Sequence, residues 1–301
     1  YNDDAYSKSE LLINSLVYNG TGFARDVAGS KQSVRRLTKE KILDYMQKHY
    51  TPENTIISFC GNITQKQAEK LMEKYFLSHY GLTLKDEVSV SLVKEPKEQK
   101  TNLVSQTIKQ YKDNEQANIC ITYKAVSQYN SDKYALNVLN NALGRGMSSK
   151  LFQRIREKLG LVYNISSSCS YNIAGGDLTI HFATSTKNAP LALSATREEI
   201  DELAKSGLTE AEFLDAKNNL ISTLKLSYEN TSSVNVSVCK NIMSYGRVIP
   251  KEEIIEKTSK VTLDDVNKLF KTIFSNKKYC ISYVGKNTKI DLLKNYSSKS
   301  N

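Results

Sequence analysis

The sequence predicts an α+β protein of two related domains, each a largely antiparallel sheet covered by helices, with the first domain incomplete. Three observations carry this reading. First, a helix, turn and strand occur twice. Leu37 to Gly61, LTKEKILDYMQKHYTPENTIISFCG, aligns without a gap on Val261 to Gly285, VTLDDVNKLFKTIFSNKKYCISYVG, 224 positions further on. Thr38 falls on Thr262, Ile57 on Ile281, Ser58 on Ser282 and Gly61 on Gly285, with conservative matches at Ile42/Val266, Met46/Phe270, Tyr50/Phe274 and Phe59/Tyr283. A duplicated domain is the favoured origin; a common unit used twice by chance is the alternative. Second, the predicted elements run strands, helix, short helix, strands, several helices, strand, an order that lays helices over a largely antiparallel sheet. Third, the repeat is lopsided. The second copy begins near residue 105, and subtracting the offset gives −119, so about 120 residues of a longer parent are expected ahead of Tyr1.

The elements follow in order. SKSELLINSLVY has a helical pattern that the chain enters midway, and it runs into the loop NGTGFARDVAGS. In each repeat copy a threonine stands at an N-cap with an acid within three positions, then apolar residues at helical spacing, then a strand rich in Ile, Tyr, Phe and Cys. Thr64 and Gln67 form a capping box before a helix with Ala68, Leu71, Met72, Tyr75 and Phe76 on one face. These elements make residues 1–80 the C-terminal part of a first domain. Residues 81–104, with the charged KEPKEQK, read as a linker.

Residues 105–301 read as a complete second domain. LVSQTIKQY and QANICITYKAV are strands joined by the turn KDNE, and SDKYALNVLNNALG is a helix with Ala135, Leu136, Leu139 and Leu143 inward and glycine at its end. SSKLFQRIREKLG is a short amphipathic helix. The following strand pair turns at Gly175 and Gly176, with Leu178, Ile180 and Phe182 opposite Thr179, His181 and Ala183. Thr209 and Glu212 form a second capping box ahead of Phe213, Ala216, Leu220 and Leu224.

Composition bounds the function classes. With 301 residues and 40% hydrophobic content the chain buries two modest cores, or one and part of another. It has no run of 18 apolar residues and no basic-then-apolar opening, so no membrane partner is expected. The net charge is +10, but it comes mainly from lysines scattered among acids with no aromatic-laced basic stripe, so nucleic acid is not an expected partner either. Cys60, Cys120, Cys169, Cys239 and Cys280 are widely spaced and odd in number. They read as buried, reduced thiols, favouring the cytosol or a mitochondrial matrix.

No catalytic constellation is complete. His49, His79 and His181 are the only histidines and no two can share a helix face, so no metal site is expected in this chain. His49 and His79 close helices, and His181 reads as a satisfied polar strand residue. No G-x-S-x-G, phosphate loop or Cys–His pairing is present, and the glycines of LGRGMSS lack P-loop spacing.

LGRGMSSKLFQRIREKLGLVYNISS closely resembles the second-domain signature of the pitrilysin/insulinase family of zinc metallopeptidases, which includes the mitochondrial processing peptidases. KHYTPENTIISFCGNI resembles that family's first-domain closing segment, and LTEAEFLDAKNNL a later helix; the likeness runs from ARDVAGS to the last strand. The resemblance implies two similar α+β domains, zinc in the intact parent on an H-x-x-E-H helix with a downstream glutamate, and peptide or unfolded polypeptide substrates bound as an added strand. It also implies a homo- or heterodimer with a related half. The metal helix corresponds to ALNVLNNALG less 224 positions, about 87 residues before Tyr1, so the motif is absent here. Arg156 and Tyr163 match the arginine and tyrosine that in related peptidases look across the cleft, gripping substrate carbonyls and aiding the oxyanion. Arg154 is the competing arginine, two helical positions round the axis. A surface ion pair for Arg156 and a half-buried core role for Tyr163 are the ordinary alternatives. The resemblance thus implies the C-terminal portion of a zinc endopeptidase, inactive as it stands, or a non-catalytic subunit serving an active partner.

Overall fold

The computed structural model describes residues 4–86, 103–172, 175–275 and 278–297. Most of the expected 81–104 linker therefore lies outside the described residues. The described residues fall into two compact units: one drawn from residues 1–27, 97–221 and 257–301, the other from 28–96 and 222–256.

The first unit is built on a five-stranded sheet: β1 (Gln106–Tyr111), β2 (Gln116–Ala125), β3 (Asn164–Asn172), β4 (Gly175–Ser185) and β5 (Tyr279–Gly285), in the order β1-β5-β2-β4-β3. β5 is parallel to β1, and every other pair is antiparallel. The α+β class with a mostly antiparallel, helix-covered sheet is thus what the molecule has. β1 and β2 do not pair as a hairpin: the last strand inserts between them, because each needs a neighbour rich in β-branched and aromatic residues and β5 supplies Ile281 and Tyr283 to both.

Alternation gives the two sheet faces different chemistry. Ile119, Ile121, Tyr123, Leu178, Ile180, Phe182, Ile281 and Tyr283 share one face, all fully buried. It is covered by α5 (Lys133–Gly144), α6 (Ala189–Ser206) and α10 (Leu263–Phe274), and the ring of Tyr123 meets Phe274 edge-on at 4.7 Å. Thr262 and Asp265 cap α10 reciprocally, and Val266, Leu269, Phe270, Ile273 and Phe274 form its buried stripe. The Thr64/Gln67 and Thr209/Glu212 capping bonds form as expected.

The opposite face carries small polar side chains, Cys120, Thr122, Asp177, Thr179, His181 and Ser282, and α1 (Ala5–Val17) lies across it. Asp4 caps α1, accepting from the N–H of Ser7 at 2.9 Å, so the helix starts within the sequence rather than being entered midway. The helix is positioned by polar contacts: Ser9 Oγ meets Cys120 Sγ at 3.3 Å, Ser282 Oγ donates to the Ser9 carbonyl at 2.8 Å, and the Tyr18 hydroxyl donates to the Asp177 carboxylate. Tyr6 stacks edge-on against the His181 ring at 4.3 Å, and Ile13 and Val17 supply the apolar seal.

Three glycine readings change. Gly144 is helical and does not cap α5; a Cβ there would meet the Ser167 backbone nitrogen at 2.6 Å, so glycine is needed for the close approach of α5 to β3. Gly175 and Gly176 lie in β4 rather than in a turn, and a Cβ on Gly176 would strike the Val126 carbonyl at 2.0 Å.

In the second unit, α3 (Lys39–His49) has every residue exposed, and α4 (Gln65–Tyr75) has none buried. Residues 55–60, expected as a strand, pair with no strand among the described residues and form none themselves. A strand exists only in a ladder, and here no neighbour supplies one. Cys60 is accordingly exposed, against the expected burial, while Cys120 and Cys280 are buried and all five thiols are free. α8 (Thr231–Tyr245) completes this unit, with the Ser58 hydroxyl donating to Asn235 Oδ1 at 2.5 Å.

Two substitutions test this packing. Burial pushes the His181 pKa down to about 4 from 6.5, so the ring is neutral when folded and takes a proton in the unfolded chain below pH 6.5. Its contribution is present above pH 6.5 and is lost as pH falls toward 4, about 3 kcal/mol in all at ~1.4 kcal/mol per unit. Urea titrations across this window should show the decline in the native chain and a shallower one in His181→Gln. Gly144→Ala should cost about 1 to 3 kcal/mol in the same assay through overpacking against β3.

Candidate functional site

The candidate residues sit at one corner of the first unit, where α5 ends and a short helix leads into edge strand β3. Gly146, with φ +94°, turns the chain, and the Ser149 hydroxyl donates back to the Gly146 carbonyl at 2.7 Å. Residues Phe152–Lys158 then form a π-helix, wider than the α-helix the amphipathic pattern suggests, anchored by fully buried Leu151 and Ile155.

Arg156 projects from this π-helix into solvent. Its guanidinium stands over the Phe152 ring at 4.6 Å and lies 3.7 Å from Glu157. Tyr163 immediately precedes β3; its side chain is 60% exposed, and its N–H donates to the Ala183 carbonyl at 2.9 Å. Tyr163 therefore has no half-buried core role: its backbone is fixed by the sheet and its phenol is free of the core. Arg154, the competitor, points elsewhere, 3.9 Å from Glu199 of α6, whose carboxyl is raised by burial against the opposing pull of Lys150 and Arg154. The short helix thus divides its two arginines, Arg154 toward the internal Glu199 carboxylate and Arg156 to a surface ion pair with Glu157, as its ordinary reading has it.

Beside this corner is a polar cavity of about 110 Å³ lined by Asn141, Arg145, Lys150, Glu212, Asp215 and Asn219 among others. Sequence reasoning missed it. The one available signal was Glu212 in its capping box: the same carboxylate accepts from Lys150 at 2.7 Å and from the Thr209 N–H at 2.9 Å. Burial raises the Glu212 carboxyl, but these two donors bring it below the usual range. Arg156 and Tyr163 do not line this cavity, which is smaller than small-molecule sites usually are.

The residues present do not fit zinc. His49 ends α3 with its ring 4.3 Å from that of Tyr45, His79 stacks on Tyr80, and His181 is sealed in β4 under Tyr6. Among the described residues no three His, Cys, Asp or Glu side chains gather as a metal site. Likewise, no described helix is long and apolar enough to cross a membrane.

Residues 36–220 match the family described as the peptidase M16 inactive domain. The chain belongs to this family. The M16 match covers more than half of the sequence and includes the whole corner just described. Among relatives, the chain is 29% identical over 264 residues to an "uncharacterized zinc protease", YmxG, of Bacillus subtilis (strain 168), covering 88% of this chain and 62% of the relative. It is 28% identical to an "uncharacterized zinc protease" of Rickettsia felis, covering 86% and 61%. The M16 chain thus spans about three fifths of the length of these relatives. The fold matches a peptidase M16 inactive domain from Pseudomonas fluorescens with a TM-score of 0.80 at 17% identity, covering 95% of this chain and 67% of that one. It also matches a chain of complex III2 from Candida albicans with a TM-score of 0.81 at 19% identity, covering 98% and 70%.

Since Arg156 and Tyr163 are largely exposed, Arg156→Ala and Tyr163→Phe should each leave stability within about 0.5 kcal/mol of the parent value. Arg197→Ala should cost about 3 kcal/mol, because Arg197 is buried and donates to Asp201 at 2.5 Å and to the Tyr123 hydroxyl at 3.2 Å, so its removal takes the cation from Asp201, leaves Tyr123 only its bond to Tyr296, and opens a cavity. Urea denaturation of the three variants separates a solvent-facing pair from a structural arginine.

Proposed function

We propose that this chain is the C-terminal portion of a zinc-dependent endopeptidase that cleaves peptides bound in extended form between two domains, and that it does not hydrolyse peptides alone. The observation that carries the reading is the M16 match over residues 36–220, joined to zinc-protease relatives that have 38% of their length outside the alignment. In this reading the missing N-terminal segment brings H-x-x-E-H and its zinc, and Arg156 and Tyr163 face substrate: a guanidinium for main-chain carbonyls, a neutral phenol for the developing oxyanion. The exposure of both side chains supports such a role, and the Tyr163 backbone is anchored to β4 through its N–H bond to the Ala183 carbonyl. The substrates are peptides or unfolded polypeptides, and the intact protein pairs with a related half. The five free thiols support a reducing compartment, the cytosol or a mitochondrial matrix.

A second reading, a non-catalytic subunit that binds or assembles with an active partner, draws support from the likeness to a chain of complex III2 from Candida albicans at TM-score 0.81. The H-x-x-E-H motif in the parent gene separates the two.

In the parent, Arg156→Ala and Tyr163→Phe should each lower kcat/KM for an unstructured peptide about 10- to 1,000-fold with zinc content unchanged, while Arg154→Ala should act mainly on stability. Stoichiometric zinc with hydrolysis in the present chain, measured by metal analysis and peptide cleavage, would overturn the assignment.

A further inference from the structure

We infer that the polar cavity between α5 and α7 (Glu210–Ser227) binds a small free α-amino acid in its zwitterionic form, alanine or serine in size. Two helix faces of the first unit wall it. Asn141, Ala142 and Arg145 come from the last turn of α5 and its cap, and Glu212, Asp215, Ala216 and Asn219 recur at helical spacing on α7.

The charged side chains around the cavity divide into two kinds. Lys150 and Glu212 satisfy each other. They pair at 2.7 Å, and the same carboxylate accepts from the Thr209 N–H at 2.9 Å and from its hydroxyl at 3.0 Å. Arg145 and Asp215 do not: among the described residues neither side chain makes an ion pair or a hydrogen bond, with the other or with any third group. A cation and an anion that line one small cavity and stand too far apart to pair select a dipolar ligand that reaches both. Its carboxylate meets the guanidinium fork and its ammonium meets Asp215.

A buried polar oxygen is the second observation. Asn141 is 5% exposed, and its Nδ2 donates to the Ala216 carbonyl at 2.6 Å and to Asn219 Oδ1 at 3.2 Å. Its own Oδ1 accepts from no protein group among the described residues, although buried acceptors are nearly always paired. α5 also ends without a capping bond from the Arg145 N–H, so the negative end of its dipole favours a cation at the same place. An ammonium brings three N–H donors to these acceptors.

The remaining walls set the size. Ala142 and Ala216, each 7% exposed, give the cavity its apolar part, suited to a methyl or hydroxymethyl side chain. A volume of about 110 Å³ holds a few waters or one molecule of that size. An ammonium and a carboxylate on one carbon occur together only in a free amino acid; in a peptide they stand at opposite ends. The inference rests on this geometry and not on the peptidase reading.

The test is to titrate the full chain, isotope-labelled for NMR, with L-alanine and L-serine while following the side-chain amide signals of Asn141 and Asn219. Both signals should shift saturably, with one site and a Kd of about 0.1 to 10 mM, the range open to a ligand of so few atoms. Arg145→Ala and Asp215→Ala, both at exposed positions, should each weaken binding at least ~10-fold with the urea midpoint unchanged. Acetate, methylammonium and dialanine should each bind at least ~10-fold more weakly than alanine. The proposal is overturned if neither amide signal moves, if either variant binds as the parent does, or if acetate, methylammonium or dialanine binds as tightly as alanine. Peptidase activity is not scored, so failure here leaves the enzymatic reading where it stands.

Discussion

β5 is held between a parallel and an antiparallel neighbour, and the rest of the first unit depends on that double pairing. It buries Ile281 and Tyr283 completely and joins β1 to β2, the strand on which α10 lays Phe274 against Tyr123. A strand paired on both edges satisfies all its backbone donors and acceptors internally, so apolar side chains can be stacked on it without stranding polar groups. Residues 55–60 match β5 at Ile57/Ile281, Ser58/Ser282 and Phe59/Tyr283 and yet form no strand. The difference lies in the neighbours, not in intrinsic preference.

The two faces of the sheet solve different problems. The face under α5, α6 and α10 is aliphatic and aromatic, and its buried polar groups are paired: the Tyr123 and Tyr296 hydroxyls meet at 2.8 Å beside the Arg197 guanidinium. The face under α1 is narrow and polar, and specificity there comes from matched hydrogen bonds. Burial raises the Asp177 carboxyl, and the Tyr18 and Thr179 hydroxyls that donate to it hold it in check. A helix set by such contacts has one register, because sliding it would strand Ser9, Tyr18 and Asp177 together.

Much of this was legible in the sequence. Caps at Thr64, Thr209 and Thr262, the α10 stripe and the strands at 116–125 and 279–285 follow from local residue chemistry, and the structure has them. Long-range pairing did not follow: nothing local to Gln106–Tyr111 says that its partner lies some 170 residues on rather than across the KDNE turn. Glycine was misread where its purpose was space, since the residue pressing on Gly144 comes from another element. Strand 55–60 failed for the opposite reason, a correct pattern without its neighbours. At the candidate site it was the family resemblance, not local residue chemistry, that favoured Arg156 over Arg154; in the structure the two side chains point apart. It could not find the Lys150–Glu212 pair, whose members are 62 positions apart.

The bond from Ser282 to Ser9 spans 273 positions. On a ribosome α1 emerges some 270 residues before its seat on β5, so its side chains wait without their partners while the intervening chain is made. Closing so wide a loop is slow. Refolding from denaturant should accordingly be sensitive to protein concentration and helped by holdase chaperones.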